Sequence, residues 1–312
     1  MTETLSRANL RSRYRFAGKL VMDTALHIGG GREASAITDS PVVRDATGQP
    51  FIPGSSLKGA FRAAVERLVP LLGLRTCQLA DDCDDCLSTN RKLSKHYRVM
   101  RRQLGDKLRD DDETRQAIGE LQHAIEGLGQ GSPELDALSW PHWVGQSISE
   151  KHLLASLLVL LCETCKTFGS VHLASVAFFH DLPVDGTWYD MVQVRDGVGI
   201  DRDSERSREE VKYDFEVVSP QTAFRFGLAL ENPRNRDLGL IALGLQEFTQ
   251  GMVPLGGIRS RGLGRCHLTD LEVTSVDLTS EAARRDYLIT GKMSEEDGKS
   301  FITRHLGALM AA

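Results

Sequence analysis

The chain has 312 residues, 41% of them hydrophobic and 26% charged, a balance that sustains a sizeable buried core and excludes an intrinsically disordered chain. Its 38 basic and 43 acidic side chains leave a formal charge of -5, so the molecule as a whole is not an electropositive nucleic-acid binder, and any such surface is a local groove of arginine and lysine. No apolar run reaches the roughly 20 residues of a membrane span, and the polar opening MTETLSRANLRSRYRF lacks the apolar core of a signal peptide, which makes a cytoplasmic chain the expectation.

Between residues 14 and 28, Tyr14, Phe16, Leu20, Met22, Leu26 and Ile28 fall on even positions and Arg15, Lys19, Asp23 and His27 on odd ones, the period of a half-buried strand. Gly29, Gly30 and Gly31 end it. Beyond a turn at ATGQ, Ser55 or Ser56 is placed to cap a helix with Leu57, Phe61, Ala64, Val65 and Leu68 on one face, leaving Lys58 and Arg62 together off that face. Residues 74–150 read as a charged surface insertion poor in core residues, with an amphipathic segment near 118–128. HLLASLLVLLC, ending at Cys162, has the length of a buried helix. A turn at Gly169 leads into a strand. Residues 181–212 hold few core residues between two strands and read as an extended hairpin or projecting arm. YDFEVVSPQTAFRFGLAL then alternates, pointing Phe215, Val217, Phe224 and Phe226 inward, and is followed by a helix at 238–248, a glycine-rich loop and a last strand. This succession suggests an α+β sandwich with one helical face.

Three constellations carry chemistry. GGIRSRGLGR sets Arg259, Arg261 and Arg265 among Gly256, Gly257, Gly262 and Gly264 with no acid between them. Glycines admit a phosphate close to backbone N–H groups and arginines donate to it in pairs; the plain alternative is a turn with solvated arginines. The loop precedes a strand, whereas a dinucleotide fingerprint follows one. PGSSLKGAFR offers a helix N-terminus and Lys58 to the same volume, a second anion candidate whose alternative is an ordinary capped helix.

Six cysteines, Cys77, Cys83, Cys86, Cys162, Cys165 and Cys266, include two pairs with the spacing of zinc-knuckle halves. The ligand set chosen from the sequence is Cys77, Cys83, Cys86 and Cys165, with Cys162 or His96 as candidate replacements for one of them, and a four-ligand zinc ion is structural. Between the two anion candidates lies TDSPVVRD. Its Asp39 is suited to orient or deprotonate a ribose hydroxyl, or to help hold a divalent ion such as Mg2+ at a phosphate, and is equally suited to be an ordinary turn acceptor. His27 and Asp45 are weaker alternatives.

LHIGGGREASAITDSPVVRDATGQPFIPGSSLKGAFR, CETCKTFGS, VRDGVGIDRDSERSREEVKYDFEVVSP and GMVPLGGIRSRGLGR together resemble, in order, the motifs of the Cas7-type RAMP proteins of type III CRISPR effector complexes, with the Csm3 and Csx7 subfamilies most similar. The resemblance implies a modified ferredoxin-like (RRM-like) α+β core over residues 14–312, a zinc-linked insertion at 74–150 and a thumb hairpin at 181–212. It further implies a backbone subunit that binds CRISPR RNA, contacts neighbouring Cas7-like and other effector subunits, and cleaves complementary target RNA at Asp39. A non-catalytic guide-binding scaffold is the alternative. The guide groove would be lined by His27, Gly30, Arg32, Gly54, Ser55, Ser56, Lys58, Arg62, Gly256, Gly257, Arg259 and Arg261, and the thumb would contribute Arg195, Val198, Ile200 and Arg202. Residues 195–212 carry five basic and six acidic side chains, so wedging by Val198 and Ile200 is expected ahead of broad attraction.

Overall fold

The computed structural model describes residues 9–30, 38–77, 86–104, 106–128, 150–189, 192–200 and 207–311. In chain order these form β1 (Ser12–Met22), β2 (Phe51–Ile52), α1 (Gly54–Leu68), α2 (Arg91–Arg102), α3 (Asp112–Gly127), α4 (Glu150–Leu160), α5 (Glu163–Phe168), β3 (Ala177–Phe179), β4 (Leu182–Pro183), β5 (Val192–Ile200) and β6 (Ser207–Val218). β7 (Ala223–Glu231), α6 (Asn235–Thr249), β8 (Cys266–Asp277), α7 (Glu281–Thr290), β9 (Ser294–Asp297) and α8 (Gly298–Met310) complete the succession. The chain divides into two compact units, one built on residues 65–177 with 232–240, the other on 11–64, 178–231 and 241–312.

The second unit holds a five-stranded sheet of order β3-β7-β1-β8-β9. β1 runs antiparallel to both its neighbours, pairing Phe16 with Leu228 on β7 and with Val273 on β8. Alternation does what the sequence predicts: Phe16, Leu20, Phe224, Phe226, Leu228 and Leu230 are buried. The expected strand at 14–28 is shorter, however. It stops at Met22, where the amides of Asp23 and Thr24 turn to the carbonyl of Arg265, and Leu26 instead bridges Val218 on β6. Phe301 of α8 meets Phe16 edge-on with centroids 5.0 Å apart. α1 and α6 interlock through Phe61, whose ring stacks on Phe248 at 5.6 Å. A Cβ on Gly244 would lie 2.1 Å from that ring, so any side chain there would have to displace the phenyl, an overpacking cost of about 1–3 kcal/mol or more.

β5 and β6 form an antiparallel hairpin in the register Arg195 to Phe215, Asp196 to Asp214 and Gly197 to Tyr213. The first part of the expected arm is not in it. Leu182 and Pro183 pair with Ile52 and Phe51, and Val184 bridges Phe224, because the apolar Leu182 and Val184 are buried.

The first unit is helical. Here the sequence expectation of a segment poor in core residues is overturned: Leu93, Tyr97 and Met100 of α2, Ile118, Leu121 and Ile125 of α3, and Leu153 and Leu157 of α4 share one buried cluster with four cysteines. Asn90 and Asp111 cap α2 and α3, accepting from the amides of Leu93 and Thr114, the side-chain type and geometry that start helices in water-rich sequence. Beside the cysteines, Glu163 takes Lys166 at 2.8 Å and Arg234 at 3.2 Å, and Arg234 reaches Asp237 at 2.7 Å. Among the described residues no helix is long and apolar enough to cross a membrane.

Candidate nucleic-acid interface and metal centre

Asp39 stands exposed at the start of a segment that lies along the free edge of β6. Ser40 bridges Phe215, and the amide of Glu216 donates to the carbonyl of Ser40 at 3.0 Å. Two β6 carboxylates grip this segment by its backbone. Asp214 Oδ1 accepts the Asp39 amide at 2.8 Å and the Thr38 hydroxyl at 3.0 Å; Glu216 Oε2 accepts the Val42 amide at 3.0 Å and the Arg44 guanidinium at 3.4 Å. In return the Asp214 amide donates to Asp39 Oδ2 at 3.4 Å. Ser40 N–H, the donor expected for Asp39 as a turn acceptor, goes to Thr38 Oγ1 instead. Asp45 accepts from Thr47 and Gln49 in a local turn of its own.

His27 is buried, not presented at a surface. Its Nδ1 lies 2.7 Å from the Glu216 carbonyl, which can only accept, so Nδ1 donates, and Nε2 faces Ser40 Oγ at 3.4 Å. Its ring rests edge-on against Phe215. His27 therefore braces the Asp39 segment from below. Gly30 continues that brace, its amide donating to the Pro41 carbonyl.

The glycine loop is set on the same segment. Gly256 has φ +77°, and a Cβ there would fall 2.2 Å from the His27 carbonyl oxygen; at Gly264, φ +83°, it would fall 1.9 Å from that of Leu255. These two glycines serve backbone packing, while Gly257 donates its amide to His27 at 2.9 Å. Ile258 adopts φ 56°, ψ 27°, a left-handed conformation costing a β-branched residue about 1–2 kcal/mol. Its side chain, partly buried, packs onto the cluster of Ala25, Phe215, Val217 and Leu263, and that apolar burial offsets the strain in part. The result is a short turn that holds Arg259 and Arg261 out to solvent. Arg261 donates to the Tyr213 hydroxyl, and the Tyr213 ring fills the space above Gly197 of β5, where a Cβ would lie 2.3 Å from it.

The α1 end differs from the sequence expectation. The helix begins at Gly54, so Ser55 and Ser56 lie in its first turn and are not caps. Gly54 donates its amide to Asp181 Oδ1 at 2.7 Å, and a Cβ there would meet the Phe179 carbonyl at 2.5 Å. Lys58 is half-buried, and burial, then the nearby Arg62, pushes its ammonium below the ordinary lysine value. Arg62 is only 8% exposed, so it is a buried cation and not the surface partner of Lys58 that helical spacing suggests. Arg195 is exposed on β5; Val198 and Ile200 lie on β5 with side chains outside the described residues, as Arg32, Arg202 and Cys83 lie outside them altogether.

In the helical unit, Cys77, Cys86, Cys162 and Cys165 bring four buried sulfurs within 4.8 Å of one another. Cys77 Sγ is 3.5 Å from both Cys162 and Cys165, and Cys86 Sγ accepts the Cys162 amide at 3.5 Å. A tetrahedron of thiolates about 2.3 Å from a metal has edges of about 3.8 Å, so the donor set and spacing fit a metal such as zinc. Cys162, outside the set chosen from the sequence, is one of the four sulfurs brought together, His96 is not in this group, and Cys83 lies outside the described residues. Hydrogen bonding with Cys162 leads in pushing the Cys77 and Cys165 thiols up and holding Cys86 down, with burial opposing ionisation at all three. A cation removes that conflict by taking all four as thiolates. Cys266 is elsewhere, a buried thiol pushed up to about 12 by burial and then by Asp23.

The carboxylate brace was not legible in the sequence: Asp214 and Glu216 alternate with Phe215 and Val217 and read as solvent-facing strand positions. A family model described as the RAMP superfamily matches residues 19–267. The chain is 48% identical over 60 residues to the CRISPR system Cms endoribonuclease Csm3 of Methanocaldococcus jannaschii, covering 19% of this chain and 24% of that protein. It is 48% identical over 64 residues to the protein of the same name from Enterococcus italicus, covering 20% and 30%, and 42% identical over 60 residues to that of Streptococcus thermophilus, covering 18% and 27%. The chain thus spans less than a third of the length of these curated relatives.

Proposed function

From the membership of this chain in the RAMP superfamily, to which it belongs, we propose that it is a guide-RNA-binding backbone subunit of a type III CRISPR effector that cleaves the paired target RNA at Asp39. The observation that carries this reading is an exposed Asp39 whose backbone amide donates to Asp214 Oδ1 and whose carboxylate accepts the Asp214 amide, on the same brace of His27 and β6 that seats a loop presenting Arg259 and Arg261. The similarity to relatives named as endoribonucleases favours cutting over a scaffold that only binds.

The step assigned to Asp39 is in-line attack of the target's ribose 2′-hydroxyl on the adjacent phosphorus: the O–P bond to the new 2′,3′-cyclic phosphate forms as the bond to the 5′-oxygen breaks and that oxygen takes a proton from solvent. Asp39 orients that hydroxyl and accepts its proton, and a fixed geometry provides the alignment on which such reactions depend. The step runs through Asp39 and the RNA's own hydroxyl, and Asp39 together with the RNA phosphates is the kind of donor set that would hold a divalent ion such as Mg2+. Arg259 and Arg261 hold backbone phosphates, which position a strand without reading its sequence. The sheet order β8-β1-β7-β3, with α1 following β1 and α6 following β7, supports the ferredoxin-like reading of the core, and the β5–β6 hairpin is the candidate thumb. Zinc is assigned to the four-cysteine cluster as a structural ion, since four protein ligands leave no open position.

The test is cleavage of complementary RNA by the chain assembled on a guide RNA. Asp39→Ala should slow cutting at least ~100-fold while guide retention stays at the wild-type level. Cutting at the wild-type rate would overturn the assignment of Asp39.

A further inference from the structure

We propose that Asp214 is the positioning residue of Asp39, an inference that rests on the reading of Asp39 as the cleaving carboxylate. Asp39 is an exposed side chain, and the backbone pairing next to it is the β-bridge at Ser40. Left to itself such a carboxylate samples several rotamers on a backbone free to shift. Asp214 removes both freedoms. Its Oδ1 accepts the amide of Asp39 at 2.8 Å and the hydroxyl of the buried Thr38 at 3.0 Å, which fixes the backbone on both sides of the Asp39 peptide. Its own amide faces Asp39 Oδ2 at 3.4 Å, which selects the side-chain rotamer.

A bond that only closed a loop would not call for a charged acceptor here. Asp214 stands directly across the hairpin from Asp196, and like charges at facing positions are destabilising, so a neutral acceptor would serve local stability better. What the carboxylate adds is a shorter, stronger, charge-assisted grip on the Asp39 amide. The glycine loop does not replace this grip: its glycines pack on His27 and Leu255. Proton acceptance from a ribose hydroxyl tolerates little displacement, and a shift of about 1 Å in such a group costs on the order of 100-fold in rate.

The experiment measures single-turnover cleavage, target affinity and guide retention for the chain assembled on a guide RNA. Asp214→Ala should cut about 10- to 100-fold more slowly, with target affinity and guide retention close to wild type. Asp214→Asn, which keeps an oxygen for the same two donors but not the charge, should recover part of that loss; a role in folding alone would not separate rate from affinity in this way. Thr38→Val, lacking one donor, should be slower by several-fold. If Asp214→Ala cuts at the wild-type rate while Asp39→Ala does not cut, the positioning role is overturned and the cleavage reading stands. If Asp39→Ala itself cuts normally, both fall. Asp214→Asn as slow as Asp214→Ala overturns the hydrogen-bond basis, and should Asp214→Ala fail to assemble, a wild-type rate in Thr38→Val overturns it equally.

Discussion

Replacing Cys162 by serine separates the metal from the fold around it. The cysteine is the residue preceding α5, and its sulfur lies 3.3 Å from Thr164 Oγ1, so a serine hydroxyl finds a partner there and the backbone hydrogen bonds of the turn persist. What is lost is one of four sulfurs packed within 4.8 Å, and an oxygen on a shorter bond does not reach the same centre. With zinc at a hundred times its dissociation constant, binding to the folded state alone contributes about 2.7 kcal/mol. At roughly 4 °C per kcal/mol for a unit of this size, the melting midpoint should fall by about 10 °C. Metal content of gel-filtered, reduced protein and melting with and without a chelator read both quantities. Wild type and Cys83→Ser should each hold zinc and lose stability on chelation, whereas Cys162→Ser should hold none and respond to chelator not at all. Zinc retained by Cys162→Ser, or lost by Cys83→Ser, would refute the ligand set.

The remaining expectations use other parts of the molecule. A target RNA with a single 2′-deoxy sugar at the cut position should survive while neighbouring cuts continue, read by gel mapping; a cut at that sugar removes the hydroxyl-attack step. Arg259→Ala with Arg261→Ala should flatten the salt dependence of guide binding by ~0.7–0.9 in log–log slope for each phosphate no longer neutralised. Arg62→Ala should instead cost about 2 kcal/mol of stability or more, the scale of a buried charged group's hydrogen bonds, with the slope unchanged. At Glu163 burial would raise the carboxyl, but Lys166 and Arg234 outweigh it and the net shift is downward. Its folded pKa is thus below its unfolded one, so its contribution is present above the ordinary glutamate range and is lost as pH falls through the depressed value. Glu163→Gln should lower stability near neutral pH and flatten its acid dependence below about pH 4; equal acid slopes in the two proteins would contradict the network.

Local patterns carried most of what the sequence disclosed. Phe215, Val217, Phe224 and Phe226 could be assigned inward because alternation is a property of adjacent residues, and the Cys162 and Cys165 pair marked a candidate metal site because the spacing is itself the signal. The helical unit was hidden by composition: Leu93, Tyr97 and Met100 recur at helical spacing, but seven Lys, Arg and His residues in the same 12-residue helix mask so narrow a stripe. The Asp39 brace was hidden for a different reason. Asp39 and Asp214 are 175 positions apart, and nothing near either residue records the pairing. Arg62 was misplaced because helical spacing states which side chains are neighbours and not which of them the rest of the chain covers.

The two margins of the five-stranded sheet are both poor templates for another strand. One margin is β3, only three residues long, and the other is β9, whose sequence is Ser-Glu-Glu-Asp. An incoming strand would find too few groups to pair with on the first and a row of carboxylates on the second, the arrangement by which open sheets resist growing sideways. The sheet is therefore closed to edge-to-edge extension into a continuous β-ribbon. Substituting Glu295 and Glu296 with threonine would remove that protection and expose the chain to fibrillar association.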